Sequence, residues 1–170
     1  NEGIVEVKRS SSYKAFLRSM KNVEDSDYEV PAGLNAELRP YQKFGFRWLM
    51  TLGAMGFGGI LADDMGLGKT VQAIAYLAAV KENYEGDTTR HSLIICPASL
   101  VYNWESEIHR FAPGLTVEMV VGGAESRKEK IRNSRADILL TSYDLLKRDV
   151  EAYQEALFDT VFIDEAQNIK

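Results

Sequence analysis

The run Asp63–Thr70 constrains the fold most, because it places two glycines, a lysine and a threonine between a short apolar strand and a long amphipathic helix. Gly66 and Gly68 lack Cβ atoms, so the backbone can curl around a phosphate and point several N–H groups at its oxygens. The helix that begins near Lys69 adds the positive end of its dipole, the lysine adds a charge, and Thr70 offers a hydroxyl to Mg²⁺. We therefore predict a loop that binds a nucleoside triphosphate through Asp63, Asp64, Met65, Gly66, Leu67, Gly68, Lys69 and Thr70.

This loop departs from the general pattern Gly-x-x-x-x-Gly-Lys-Ser/Thr at its first position, where Asp63 stands in place of glycine. Taken alone, the run could also be a glycine-rich turn between a strand and a helix that carries an exposed lysine. Further motifs in the chain are needed to distinguish the triphosphate-binding loop from the simple turn.

A second signal lies downstream, where the apolar run 160–163 ends in Asp164 and Glu165. Such a run predicts a strand buried on both faces, whose carboxyl end is where open α/β sheets bind their ligands. There Asp164 would hold the Mg²⁺ that Thr70 also touches, and Glu165 would orient or deprotonate an attacking water. The alternative is an acidic helix N-terminus after a core strand. Both signals occur in this order, each after its own strand. We therefore predict a phosphate-binding loop together with an aspartate, Asp164, that holds the magnesium ion.

Strand and helix patterns alternate along the chain. Helices are predicted over residues 40–52, 71–81, 99–111 and 124–134 and in the stretch up to 157, and strands over 93–96, 116–121 and 138–141. This alternation predicts an α/β fold with a mainly parallel sheet and helices on both faces.

Residues 1–33 form a distinct upstream tail or linker, with a strand at 4–7 and a helix at 13–21, whereas residues 34–170 form the domain. One face of the 40–52 helix is predicted to be core, with a base-stacking platform as the alternative; it carries Tyr41, Phe44, Trp48, Leu49 and Leu52.

Composition favours an intracellular protein without a membrane span, since no uncharged apolar run reaches 18 residues and the first residues lack a basic-then-apolar leader. The single cysteine, Cys96, is predicted to be a buried core thiol, and His91 and His109 surface residues.

The net charge of −5 counts against a compact nucleic-acid-binding module. Residues 121–150 reverse that balance locally, because seven basic residues stand there against five acids. They are either solvated helix faces or a phosphate-binding stripe. The seven are Arg127, Lys128, Lys130, Arg132, Arg135, Lys147 and Arg148.

With these motifs in place, the chain resembles the first motor lobe of the Swi/Snf family of DNA-dependent ATPases, a branch of helicase superfamily two. An aspartate at the first loop position is usual in that family. Gln167 stands where most members carry histidine, which makes bacterial members with glutamine the more similar ones. The resemblance covers roughly residues 34–170 and runs through Leu38-Arg39-Pro40-Tyr41-Gln42, the 63–70 loop, Cys96-Pro97-Ala98-Ser99-Leu100 with Asn103-Trp104, Thr141-Ser142-Tyr143, and Asp164-Glu165-Ala166-Gln167.

The resemblance implies ATP and Mg²⁺ as cofactors, with Lys69, Asp164 and Glu165 as catalytic residues and Gln167 in the nucleotide site. It assigns Gln42 to the adenine edge, because an amide side chain can donate and accept at once; the alternative is an ordinary surface glutamine.

Two strand ends are candidate DNA contacts by the same resemblance. Hydroxyls and backbone amides there could bind phosphate oxygens without reading sequence. Helix capping is the alternative role for the serines and the threonine. The candidate residues are Pro97, Ser99, Thr141 and Ser142.

The implied activity is that of an ATP-dependent double-stranded-DNA translocase or remodeller, in the bacterial cytoplasm and associated with the nucleoid. Its expected partners are a second motor lobe and a DNA-bound protein complex. An RNA helicase and a nucleotide-binding regulatory module without turnover remain alternatives. The chain ends five residues after Glu165, and the family's arginines from the second lobe complete the active site, so we expect the fragment alone to bind ATP weakly and not to turn over.

In relatives of this lobe, a strand that follows the magnesium acid in sequence lies between the phosphate-loop strand and the acid strand. We expect those two strands either to close up here or to receive a strand from residues 4–7 or from a neighbouring chain, so an oligomer of the fragment is possible.

Overall fold

A computed structural model describes residues 11, 23, 26–62, 68–83 and 91–168 of the chain. Its helices are α1 (Pro40–Ala54), α2 (Lys69–Glu82), α3 (Val101–Phe111), α4 (Ala124–Asn133), α5 (Tyr143–Arg148) and α6 (Val150–Gln154). Its strands are β1 (His91–Cys96), β2 (Val117–Met119), β3 (Ile138–Ser142) and β4 (Phe158–Ile163), and short 3₁₀ helices cover Ala98–Leu100 and Ala166–Asn168.

The four strands form one sheet in the order β2-β3-β1-β4. All three strand pairs are parallel, with Ile94 of β1 opposite Leu140 of β3 on one side and Phe162 of β4 on the other. The predicted parallel α/β fold is confirmed.

Successive residues of the central strands face opposite sides of the sheet. Ile94 and Leu140 belong to a core cluster with α1, α2 and α3, whereas Leu93 and Leu139 belong to a second cluster with α4, α5 and α6. This alternation is the two-residue period of a strand that is buried on both faces. Helices therefore cover both faces, as predicted.

The predicted helix up to residue 157 breaks into α5 and α6 at Asp149, whose backbone leaves the helical conformation (φ −111°, ψ 18°). The Asp149 carboxylate is buried against the Arg127 guanidinium, with Nε to Oδ2 at 2.6 Å and Nη2 to Oδ1 at 3.0 Å. We attribute the break to this bidentate ion pair, because it fixes Asp149 between α4 and the two short helices.

Two predictions around the nucleotide loop were wrong. The described residues 57–62 before the loop form no strand, and Ile60 is 86% exposed. β4 is not buried on both faces, since Val161 and Ile163 are about half exposed. The reason is that β4, within the part of the chain that the structure describes, pairs only with β1 and forms the edge of the sheet. Among the described residues the first expected outcome, a closing-up of two strands, is not seen, and the candidate strand at 4–7 lies outside those residues.

The prediction for the buried face of α1 is confirmed only in part, since Leu52 is buried and Leu49 packs against the core. Tyr41 and Phe44 are exposed, whereas Gly45 and Phe46 are buried. A Cβ atom on Gly45 would overlap Oε1 of Gln72 in α2, so the glycine leaves room for the Gln72 side chain between the two helices. The buried face of α1 thus includes a glycine and a phenylalanine that the predicted face did not contain.

Several predicted features stay untested or receive only partial answers. The helix at 13–21 and the loop at 84–90 lie largely or wholly outside the described residues, and the division at residue 33 stays a prediction. Cys96 is buried and unpaired, as predicted, and His109 is exposed, whereas His91 is half-buried. Among the described residues, no helix has the length and apolar character needed to cross a bilayer.

Candidate nucleotide site

One cleft of about 520 Å³ brings the two sequence motifs together. Lys69 and Thr70 enter it from the first residues of α2, and Asp164 and Glu165 from the turn directly after β4. Gln42, near the start of α1, lines the same cleft. The structure therefore gathers groups that are far apart in sequence at one edge of the sheet.

The helix that carries Lys69 is held over β4 by aromatic packing. The rings of Tyr76 in α2 and Phe162 in β4 meet edge to face, with centroids 5.7 Å apart. This contact sets the N-terminus of α2 close to the carboxyl end of β4, where parallel sheets place their ligands.

Gly68 precedes α2 in the left-handed conformation, with φ 74°. A Cβ atom here would also lie 2.4 Å from Nε2 of Gln42. Glycine is therefore required twice over, by the backbone angle and by the contact. The remaining predicted loop residues, Asp63, Asp64, Met65, Gly66 and Leu67, lie outside the described residues.

Gln42 is buried and does not behave as an ordinary surface glutamine. Its Oε1 accepts the backbone N–H of Arg39 at 2.9 Å, which caps the start of α1. Its position beside Gly68 joins α1 to the nucleotide loop.

Asp164 is fixed by contacts from three directions. Its backbone N–H donates to the carbonyl of Ile95 at 2.9 Å, and its own carbonyl accepts the hydroxyl of Tyr143. Its Oδ2 accepts the indole N–H of Trp104 at 2.9 Å. Sequence reasoning did not single out Trp104 for this role; the available signal was its presence in the Asn103-Trp104 motif.

Glu165 adopts a positive φ of 53°, which is unusual for a residue with a side chain. Such conformations cost about 1–3 kcal/mol and cluster at functional sites. Its carboxylate accepts a bond from the amide of Gln167. Gln167 itself is exposed and is not part of the cleft lining, so its contact with the site runs through Glu165.

Two protonated groups lie close to Asp164. Burial, and secondly the charge of Asp164, raise the pKa of the Cys96 thiol to about 12. Burial and the same charge also raise the pKa of Tyr143. Both groups therefore stay neutral at physiological pH, and Tyr143 keeps the proton that it donates to Asp164.

The donors in the cleft fit a magnesium ion. Thr70 and Asp164 offer a hydroxyl and a carboxylate, which are hard oxygen ligands, and a magnesium ion normally keeps several waters besides one or two carboxylates and the substrate phosphates. Across the described ranges, no group of three or more His, Cys, Asp or Glu side chains could hold a metal. The candidate cation site is thus the pair formed by Thr70 and Asp164.

Other residues of the cleft were not anticipated from sequence. Leu100, Asn103, Glu107 and Phe111 enter it from α3 and the 3₁₀ helix before it, and Ala36 and Glu37 from the segment before α1. That segment is tied to α3, because the N–H of Asn35 donates to the carbonyl of Phe111 at 2.6 Å.

Residues 41–170 match the family described as the SNF2-related domain. The chain belongs to the SNF2-related family. It is 40% identical over 164 residues to YwqA of Bacillus subtilis, which is named as an ATP-dependent helicase/translocase; the match covers 95% of this chain and 18% of YwqA. It is 42% identical over 151 residues to helicase SWR1 of Saccharomyces cerevisiae, covering 85% of this chain and 10% of SWR1. The chain thus spans less than a fifth of the length of these curated relatives.

Solved structures of SNF2-family proteins show the same fold. The SWI2/SNF2 ATPase core domain of Sulfolobus solfataricus matches with a TM-score of 0.72 and 40% identity, over 86% of this chain and 29% of that chain. The same core in complex with dsDNA matches with a TM-score of 0.65 and 34% identity, over 80% of this chain and 34% of that chain.

The candidate DNA contacts of this SNF2-family chain divide into two groups. Ser99 is exposed and Pro97 is half-buried, at the carboxyl end of β1. Thr141 is fully buried with its hydroxyl 3.4 Å from the carbonyl of Val120, and Ser142 is buried and accepts the N–H of Leu145 at 3.4 Å as the N-cap of α5. The structure favours the capping interpretation for Ser142, and it leaves the Thr141 side chain inside the protein.

The basic residues between 121 and 150 are largely matched by acids. Arg127 is buried against Asp149, so it is unavailable to a phosphate backbone. Lys128, Lys130 and Arg132 lie 3.2–3.5 Å from acidic side chains. These pairs favour solvated helix faces over a phosphate-binding stripe.

Proposed function

We propose that this chain forms part of the first motor lobe of an ATP-dependent double-stranded-DNA translocase or remodeller. The observation that supports this most is the single cleft that Gln42, Lys69, Thr70, Asp164 and Glu165 line together. The names of the relatives, and the solved SNF2 core in complex with dsDNA, support the same proposal.

Each residue has a distinct task in this proposal. Gln42 meets the adenine edge, and Lys69 places its ammonium beside the terminal phosphates. Thr70 and Asp164 hold the cation, and Glu165 orients the attacking water or accepts its proton. A magnesium ion, when bound, supplies charge neutralisation on the phosphates. Gln167 supports Glu165 through the bond between their side chains.

The DNA and protein partners are proposed on the same basis. Pro97 and Ser99 are the remaining candidates for phosphate contacts, because Ser99 is exposed and Pro97 is only half-buried. We propose a second motor lobe in the parent protein, a DNA-bound protein complex as its target, and a bacterial cytoplasmic, nucleoid-associated location.

The test is steady-state ATP hydrolysis by the parent protein, with duplex DNA, duplex RNA or no nucleic acid. We expect duplex DNA to stimulate turnover, and Lys69→Ala to lower it by roughly 10²-fold or more, because one charge-stabilising donor is lost. Glu165→Gln is expected to retain ATP but lose on the order of 10²- to 10⁴-fold in turnover. Lys128→Ala, at a half-buried position on α4, and Glu151→Gln, at an exposed position on α6, are the matched controls, because neither residue lines the cleft.

Other outcomes would reject the proposal in favour of a named alternative. Stimulation by duplex RNA and not by DNA would identify an RNA helicase. If the Glu165→Gln variant functions as well as the unmodified parent protein, the chain would be identified as part of a nucleotide-binding regulatory module.

The isolated 170-residue chain is proposed to bind ATP weakly and to hydrolyse it negligibly. An arginine supplied from elsewhere contributes on the order of 10³- to 10⁵-fold to turnover in related phosphoryl transfers. Steady hydrolysis by the purified chain that Lys69→Ala abolishes would contradict this part of the proposal.

A further inference from the structure

Trp104 reaches the cleft from the first turn of α3 and is only 4% exposed. A buried indole N–H needs an acceptor, which in most cores is a backbone carbonyl or another neutral group. Here the acceptor is a carboxylate oxygen, Oδ2 of Asp164, 60 residues further along the chain. Hydrogen bonds to an ionised acceptor are about twice as strong as neutral ones.

The backbone of Asp164 is held as firmly as its side chain. The N–H bonds to Ile95 in β1, and the carbonyl accepts the hydroxyl of Tyr143, the first residue of α5. Contacts from β1, α3 and α5 therefore converge on one residue of the cleft. A carboxylate at the end of an edge strand would otherwise rotate freely about its side-chain bonds.

We propose that Trp104 is a positioning residue for the Asp164 carboxylate, and that Tyr143 holds the backbone beneath it. The inference rests on the proposed function, in which Asp164 holds the cation. Because Oδ2 accepts the indole N–H, Oδ1 would be the oxygen left to hold a cation when one is bound. Partners of this kind orient a metal ligand, and their loss typically lowers metal affinity about 10- to 100-fold.

Packing is the competing role, because the Trp104 ring also belongs to the core cluster under α2 and α3. Trp104→Phe separates the two, since it keeps an aromatic ring and removes the N–H donor. Tyr143→Phe does the same for the second contact. Trp48→Phe and Tyr153→Phe are matched controls, because neither residue lines the cleft.

The first measurement is ATP hydrolysis by the parent protein as a function of free Mg²⁺. Trp104→Phe is expected to raise the half-saturating Mg²⁺ concentration about tenfold, with the rate at saturating Mg²⁺ largely retained. Tyr143→Phe is expected to raise it about threefold, and the controls to leave it unchanged. A lower maximal rate with an unchanged Mg²⁺ requirement would assign Trp104 to packing and overturn the inference.

The second measurement does not depend on turnover. Parent protein labelled with 5-fluorotryptophan gives a ¹⁹F resonance for position 104, assigned by its loss in Trp104→Phe. Asp164→Ala is expected to shift this resonance, whereas Asp144→Ala, at an exposed site, is not. If the parent protein hydrolyses no ATP, the proposed function fails, and the inference is then tested by the ¹⁹F resonance alone. A shift of the Trp104 resonance in Asp164→Ala supports the contact between the two side chains, and an unchanged resonance overturns it.

Discussion

The sheet has an enclosed half, formed by β1 and β3, and an open half, formed by β4, and the two differ in how much of each strand is buried. β1 and β3 have a strand on each side, and five of the six residues of β1 and all five of β3 are buried. β4 has a described neighbour only in β1, and its residues alternate between half-buried and exposed. Both halves have apolar sequences, so hydrophobicity alone does not separate them.

This difference shows that burial of a strand depends on its neighbours as much as on its own residues. Val161, Ile163 and Leu157 are as apolar as the residues of β3, yet they contact solvent. The enclosed half supplies the rigid frame, and the open half carries Asp164 and Glu165. Substitutions in the two parts of the sheet test that division.

Arg127→Ala should have the largest effect, a loss of about 3–5 kcal/mol in the free energy of unfolding, because it leaves the buried carboxylate of Asp149 unpaired. Urea unfolding of the purified chain measures this loss. Arg132→Ala is the control, since its pair with Glu155 is exposed and 3.5 Å long. Equal losses for the two variants would show that the buried pair is not part of the frame.

Leu139→Ala should cost about 2–5 kcal/mol, because Leu139 is fully buried in β3 and its truncation leaves a cavity. Leu157→Ala, just before β4, should cost less than about 0.5 kcal/mol, since Leu157 is 77% exposed. Thermal and urea unfolding of both variants compare the two halves directly. A similar cost at both positions would remove the distinction between them.

Asp137→Asn should cost about 1–2 kcal/mol at neutral pH. Burial alone would raise the pKa of Asp137, but bonds from Lys81 and Thr116 outweigh it and lower the pKa. The carboxylate therefore stabilises the fold above the ordinary aspartate pKa of about 4, and this contribution is lost as the pH falls from there through the lowered value. The difference between wild type and Asp137→Asn in unfolding free energy should thus shrink below pH 4, and a constant difference would contradict the assignment.

Val161→Cys should have the smallest effect on stability, less than about 0.5 kcal/mol, because half of Val161 is already exposed. The new thiol should react readily with a disulfide reagent in the folded protein. Cys96 should not react until the chain unfolds, since it is fully buried and its pKa is raised to about 12. Rapid modification of Cys96 in the folded wild-type chain would show that the enclosed half opens more easily than its packing indicates.

Local pattern was sufficient to predict the enclosed half and the identity of the main cleft residues. Lys69 and Asp164 follow from motifs whose residue types are dictated by phosphate and cation chemistry. Helix and strand periods gave the positions of α1, α2, β1 and β3 within a few residues.

The remaining features depend on tertiary neighbours that no local pattern contains. The bond from Trp104 to Asp164 joins residues 60 apart, and nothing in the spacing of either motif indicates it. Thr141 was a candidate DNA contact by motif, yet its place in a central strand buries it. The exposure of β4 likewise follows from the pairing of strands, which periodicity does not specify.

The close approach of α1 and α2 at Gly45 has a mechanical consequence. Because Gly45 has no side chain, the Gln72 side chain of α2 fits against α1 at this point, and this contact couples the helix that bears Gln42 to the helix that bears Lys69. Under the proposed function, the residue proposed to meet the base and the residue proposed to bind the phosphates would then move together, so that a nucleotide that loses its terminal phosphate would also be held differently at its ring.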